Sequence, residues 1–189
     1  MSGQPVETEI KLRVPDPATA RRLLSGAGFE VALPRIFEAN NVYDRPDGEL
    51  RAKGCLLRLR LAGELSTLTF KGAPLPGPHK SRPEIEVPVG DFAACDSILR
   101  QLGYEVRFRY EKYRTEFRRP GEKGAVLLDE TPIGVFLELE GDPSWIDQVA
   151  AQLGSSNASY ITSSYIALYF EQCRAEGSPP GDMVFRREP

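Results

Sequence analysis

Three acidic doublets and two basic pairs are the residues of this 189-residue chain best placed to do chemistry. Glu7 and Glu9, Glu84 and Glu86, and Glu138 and Glu140 each form E-x-E, Arg58 and Arg60 form R-x-R, and Lys112 precedes Arg114 by two positions. In an extended strand, residues two apart point to the same side. Like charges held that close repel unless an opposite charge lies between them. Carboxylate pairs suit Mg2+ or Mn2+, hard cations that prefer oxygen donors and commonly take one or two carboxylates plus substrate phosphates. Guanidinium forks and ammonium groups suit the phosphates themselves. Lys11, Arg58, Arg60, Lys71, Lys112 and Arg114 together match the roughly four negative charges of a triphosphate.

Each charged face has an apolar partner. Ile10 and Leu12 alternate with Glu9 and Lys11; Leu57, Leu59 and Leu61 with Arg58 and Arg60; Leu68 and Phe70 with Lys71; Ile85, Val87 and Val89 with Arg82, Glu84 and Glu86. This period-two pattern predicts strands over 7–14, 36–44, 55–62, 65–72, 82–89, 104–118, 125–130 and 134–140. The later ones carry Lys112, Arg114, Asp129, Glu138 and Glu140. Three short helices are expected to interrupt them. They open at Asp16, Asp91 and Asp142, whose carboxylates can accept from free backbone N–H groups, and close near Gly26 or Gly28, Gly103 and Gly154. A fourth helix is expected over 161–175. The Pro- and Gly-rich segment 72–83 reads as a long mobile loop, and the tail from 175 as disordered or a surface strap.

The alternation alone fits two arrangements: a barrel with charges outside and an apolar interior, or its inverse. Two features favour the inverse. The apolar helix positions Leu23, Leu24, Ile98, Leu99, Ile146 and Val149 need a surface to cover, which the outside of a barrel supplies. The same-sign doublets need a counter-charge, which an enclosed ligand supplies. The expected fold is therefore α+β: a barrel of about eight strands with helices packed on its outside. Residues 1–175 form one domain and 176–189 a flexible tail. A weak repeat runs through it, in which an acidic strand, an Asp cap and a helix recur from Glu7, from Glu84 and from Phe136.

Composition narrows the partners. Hydrophobic residues make up 41% and charged ones 27%, an ordinary globular mix, and a net charge of -3 offers no whole-chain attraction to nucleic acid or an anionic membrane. Cys55, Cys95 and Cys173 have no paired spacing that would suggest a disulfide or zinc framework. With no apolar stretch of signal-peptide or transmembrane kind, a cytoplasmic protein is expected.

The residues also resemble a known group. ETEIKL matches the E-x-E-x-K signature of the CYTH superfamily, the triphosphate tunnel metalloenzymes, and the match continues in order through VYDRPDGELRAKGCLLRLR, TFKG, SRPEIEV, EKYRTEF, LLDE and FLELEG. The resemblance implies an eight-stranded antiparallel triphosphate tunnel that uses Mg2+ or Mn2+. Lys11, Arg58, Arg60, Lys71, Lys112 and Arg114, with Arg82, would grip phosphate. Glu9, Glu138 and Glu140, followed by Glu7 and Asp129, would ligate metal, with Glu84 and Glu86 supporting, and Glu7, Glu9, Lys11 and Asp129 would serve the chemistry. The implied substrates are inorganic triphosphate, ATP or thiamine triphosphate. The leading activity is hydrolysis of the terminal phosphoryl group; the alternatives are a class IV adenylate cyclase and a non-catalytic phosphate- or polyphosphate-binding module. A homodimer is left open. Where many relatives carry a basic residue before the Ser-Tyr of the last helix, this chain has Ser163.

Other candidates receive plainer readings. His79, the single histidine, is expected to be a solvated loop residue, and Lys80 a surface lysine with a lid role as the rival. Asp44 reads as a turn or strand-end residue, and Trp145 as packing on the barrel exterior.

Overall fold

The computed structural model describes residues 5–186. Eight strands, β1 (Val6–Val14), β2 (Glu30–Asp44), β3 (Leu56–Ala62), β4 (Leu65–Lys71), β5 (Lys80–Val89), β6 (Glu105–Arg118), β7 (Ala125–Thr131) and β8 (Gly134–Glu140), close into a barrel. Every neighbouring pair is antiparallel, in the ring order β1-β5-β4-β3-β2-β6-β7-β8. Five helices accompany them: α1 (Pro17–Gly26), α2 (Glu49–Ala52), α3 (Phe92–Gln101), α4 (Pro143–Gln152) and α5 (Tyr165–Glu176). Asp16, Asp91 and Asp142 cap α1, α3 and α4, accepting from the N–H groups of Thr19, Ala94 and Ser144 at 2.8, 2.9 and 2.9 Å.

The apolar strand faces turn outward and helices bury those of β1, β7, β8 and part of β2 and β3, while Phe70, Ile85 and Val87 of β4 and β5 stay exposed. Ile10 and Leu12 of β1, Val126 and Leu128 of β7, and Leu137 and Leu139 of β8 pack with Ala20 and Leu24 of α1 and Ile146, Val149 and Ala150 of α4. On another side, α3 brings Leu99 against Tyr43 and Leu59. Each such buried side chain contributes roughly 1.5 to 3 kcal/mol. Trp145 packs on the exterior as expected, edge-on to Phe29, and is fitted closely to the backbone of Gly124. A Cβ at position 124 would fall 2.5 Å from the indole ring. Gly124→Ala is therefore expected to destabilise the protein by about 1 to 3 kcal/mol, read as a lower urea midpoint, and an unchanged midpoint would remove this contact from the account.

The elements differ from the sequence expectation in four places. β2 starts six residues before 36, at Glu30, because irregularities in its pairing with β6 between Val31 and Ile36 absorb Pro34, which has no N–H to donate. β5 starts at Lys80, so the 72–83 loop is shorter; Leu75 pairs with Ser81, and Arg82 donates to the carbonyls of Gly72 and Gly54. α2 was not foreseen; three backbone N–H groups, of Arg45, Leu50 and Arg51, converge on the Asp44 carboxylate to hold this turn. α5 starts at Tyr165, since Ile161 is paired with Lys11 as a strand bridge and Ser164 caps the helix.

Candidate active site

The ring order explains how the charges meet. β5, β1 and β8 are adjacent, so the three E-x-E doublets stand side by side on one wall. β3, β2 and β6, carrying Arg58, Arg60, Lys112 and Arg114, form the wall opposite, with β2 four strands from β1 in either direction. Between them lies a cavity of about 480 Å3, in the range of small-molecule sites. Its lining includes Glu7, Glu9, Lys11, Arg58, Arg60, Lys71, Arg82, Glu84, Glu86, Lys112, Arg114, Glu138 and Glu140. The charged doublets thus face the lumen.

On the cationic wall, four positive groups, Arg58 and Lys112 buried and Arg60 and Arg114 partly so, stand close together. Arg58 donates to the Tyr110 hydroxyl at 3.3 Å and to Thr69 at 3.0 Å. Arg60 donates to Asn40 Oδ1 at 3.2 Å and to Glu38 at 3.4 Å. Burial and the neighbouring Arg58 push the Arg60 guanidinium below its ordinary pKa, whereas Arg114, despite its burial, is held above its own by Asp129 and Glu138, so Arg60 is the member of the cluster least compensated. Burial opposes ionisation of the Tyr110 phenol, yet Arg58, Lys112 and Arg60 outweigh it and hold its pKa below the usual tyrosine value. Glu38 is drawn down to about 2 against its burial by Lys112, Arg114 and Arg60. Among the described residues, Arg58 Nε and Glu38 Oε2 have no hydrogen-bond partner, although Glu38 Oε2 lies 3.5 Å from Lys112 Nζ. Buried polar atoms are rarely left so without a ligand or water to meet them.

The acidic wall has two parts. Glu9 and Glu138 are neutralised: Lys11 lies 2.6 Å from Glu9 and 3.0 Å from Glu138, Lys80 lies 2.6 Å from Glu9, and Arg114 lies 3.1 Å from Glu138. These cations overcome burial and hold Glu9 near a pKa of about 2 and Glu138 well below the carboxylate range. Glu7 and Glu84 share one lysine, Lys71, which pairs with Glu7 and sits 3.1 Å from Glu84, and Glu140 feels Arg114 and Lys71 from further off. Burial, then the adjacent Glu7, raises Glu84 to about 7; burial, Glu7 and Glu138 raise Glu140 to about 7. Among the described residues, no three acidic, histidine or cysteine groups already converge as a metal cage.

Two expected site residues sit differently. Asp129, at 0% exposure, lies in the wall behind the cavity. It accepts from Lys112 at 3.0 Å, from Arg114 at 2.7 and 2.6 Å and from the Tyr165 hydroxyl at 2.8 Å, three of these on Oδ2 and one on Oδ1. Arg82 borders the lumen, with its Nε and Nη2 donating to the Gly72 carbonyl of the β4–β5 connection. Glu86 lies at the edge, with its side chain 46% exposed.

The structure also adds residues that sequence reading missed. Lys80, expected on the surface, points into the lumen beside Glu9, and burial lowers its pKa. His79 is buried rather than solvated, with Nε2 2.8 Å from Asp147 and its ring against Tyr160. Glu38, Tyr110 and Tyr165 line the cavity, and both Lys11 and Lys112 lie over the Tyr165 ring. A cue existed for Tyr110, which shares the two-residue period of Lys112 and Arg114.

A sequence model of the CYTH domain matches residues 6–165. The chain belongs to the CYTH domain family. This CYTH protein is 26% identical over 173 residues to "Putative adenylate cyclase MJ0240" of Methanocaldococcus jannaschii, covering 86% of this chain and 98% of the relative. Its fold is shared with the PH1012 protein of Pyrococcus horikoshii, at a TM-score of 0.72 and 23% identity over 86% of this chain and 98% of the other. It is shared too with a Hippeastrum protein described as a "putative adenylyl cyclase" with a dominant triphosphatase activity, at a TM-score of 0.63 and 20% identity over 92% and 97% of the two chains. Among the described residues, no helix of the CYTH protein is long and apolar enough to cross a membrane.

Proposed function

We propose that this CYTH protein is a metal-dependent triphosphatase that binds inorganic or nucleoside triphosphate in the lumen and hydrolyses the terminal phosphoryl group. The observation that carries this is the opposition of two under-neutralised clusters across one cavity. Arg58 and Arg60 meet no carboxylate closer than 3.4 Å, and Glu84 and Glu140 are held near a pKa of about 7 for want of a cation. A triphosphate complexed with Mg2+ or Mn2+ supplies both.

The donor set fits such an ion. It consists of carboxylate oxygens, the chemistry hard cations prefer, and two of them, Glu84 and Glu140, are raised to a pKa of about 7 by burial and neighbouring glutamates, which a bound cation would relieve. Glu140, Glu7 and Glu84 would hold it, and Glu9 and Glu138 would add oxygens as Lys11 and Lys80 turn to phosphate. The ion, when bound, supplies Lewis-acid polarisation of phosphoryl oxygens. Arg58, Arg60, Lys112 and Arg114 orient the phosphates and take up charge that develops on their oxygens, at positions fixed before the reaction begins. Asp129 acts as a positioning residue for Lys112, Arg114 and Tyr165, replacing the catalytic or metal-binding role expected of it.

One observation favours a second reading, an adenylate cyclase. A further cavity of about 620 Å3 shares Leu56, Lys80, Arg82, Ser164 and Ile166 with the lumen, and its Phe108 and Phe170 give it apolar walls suited to a base. The two are separated by incubating the protein with inorganic triphosphate, ATP and thiamine triphosphate under Mg2+ or Mn2+ and identifying products. Orthophosphate is expected. Cyclic AMP and pyrophosphate from ATP, without orthophosphate, would replace hydrolysis by cyclisation, and metal-independent binding without turnover would leave a binding module.

A further inference from the structure

β6 is paired with β2 along almost its whole length, but β7 covers the other edge only from Tyr113 to Phe117. The stretch before Tyr113 carries Phe108, Tyr110 and Lys112, the last two facing the lumen, and its second edge would present unpaired N–H and C=O groups. The chain's own C-terminal segment occupies that edge. Met183 donates its N–H to the Arg109 carbonyl at 2.9 Å, and Glu111 donates to the Met183 carbonyl at 2.9 Å. The Asp182 carboxylate accepts from the Arg109 N–H at 2.7 Å, and the Phe185 N–H donates to the Glu111 carboxylate at 3.0 Å. Tyr110 and Met183 are partners in a parallel bridge. The strap therefore prolongs, along β6, the track that β7 leaves.

The Met183 side chain is 1% exposed and packs in one cluster with Phe108, Tyr110, Phe136 and Tyr165. Two of these lead directly to the charged site. Tyr110 accepts from Arg58, and Tyr165 donates to Asp129, which in turn holds Lys112 and Arg114. Tyr169 of α5 also reaches the strap, its hydroxyl 3.4 Å from the Asp182 carbonyl. All of these strap residues lie beyond the 6–165 match to the CYTH family model.

We propose that residues Asp182–Phe185 are a positioning element for the phosphate-binding wall, holding Tyr110 and Tyr165, and through them Arg58, Lys112 and Arg114, in register with the lumen. This rests on the tunnel being the triphosphate site. The strap touches none of the reacting groups; it fixes the side chains that do.

The test compares the full chain with a chain ending at Ser178 and with Met183→Ala, which keeps the backbone pairing and removes the packing. Hydrogen exchange is read at the Arg109 and Glu111 amides, and KM and kcat are read for inorganic triphosphate. Truncation is expected to leave a cooperatively unfolding barrel, speed exchange at both amides, and raise KM about tenfold or more with a smaller change in kcat, because misplaced binding groups weaken capture first. Met183→Ala is expected to raise KM without deprotecting the amides, and Met183→Leu to restore it. Parental KM in both the truncated chain and Met183→Ala overturns the proposal, as does loss of cooperative folding in both, which makes the strap a brace for the whole barrel. A full chain that neither binds nor hydrolyses triphosphate instead overturns the reading of the tunnel.

Discussion

Replacing Arg60 by methionine is expected to lower triphosphate turnover by about 10²-fold or more while leaving the thermal midpoint unchanged or raised. The two effects have one cause. Arg60 is partly buried beside Arg58, with Arg114 also repelling it, and its carboxylate partner Glu38 is 3.4 Å away and shared with Lys112. In the absence of an anion this guanidinium is held against burial and like charge, so removing it relieves the fold. Glu38 keeps Lys112, Arg114 and Arg58 as neighbours and is not stranded. Steady-state kinetics with inorganic triphosphate and a melting curve check both halves. Near-parental turnover removes Arg60 from phosphate binding, and a clear fall in melting temperature shows that the cationic wall is already balanced.

Asp129→Ala is expected to behave in the opposite sense, destabilising the protein by about 3 to 5 kcal/mol, because it strands buried charges. Lys112 and Arg114 would lose their shared acceptor in the barrel wall, and Tyr165 would lose its hydrogen bond. Activity would fall with stability, through displaced lysine and arginine. Urea denaturation supplies the measure. A variant with parental stability and no turnover would return Asp129 to the chemistry or the metal, the role that resemblance alone suggested.

The doublets were legible because alternation leaves a mark that survives without coordinates: E-x-E and R-x-R place two like charges on one face whatever the strand pairs with. Their inward direction followed from the helices, whose apolar positions needed the barrel's outside, and the Asp caps announced those helices. Glu38 was hidden because its own face also carries Ile36 and Val42, so β2 shows no charged stripe. Lys80 and His79 were masked by the prolines and glycines around them, which signal a loop but cannot tell that the loop folds back onto the barrel. Asp129 illustrates the reverse difficulty: the family resemblance implied a ligand, and nothing in the sequence signals that Lys112, Arg114 and Tyr165 all donate to it.

Lys11, Lys80 and Arg82 stand among the acids and Glu38 among the bases. Even so, acids outnumber bases in the lining from β5, β1 and β8 and bases outnumber acids in that from β3, β2 and β6, so the two sides of the lumen oppose each other in sign like the plates of a capacitor. A bare polyanion or a free cation is drawn to one plate and repelled by the other, whereas a molecule with both signs lies broadside and satisfies each. Dissolved salt screens charges over about 8 to 10 Å, so added electrolyte acts mainly outside the mouth, on the rate of arrival, and much less on a guest already enclosed.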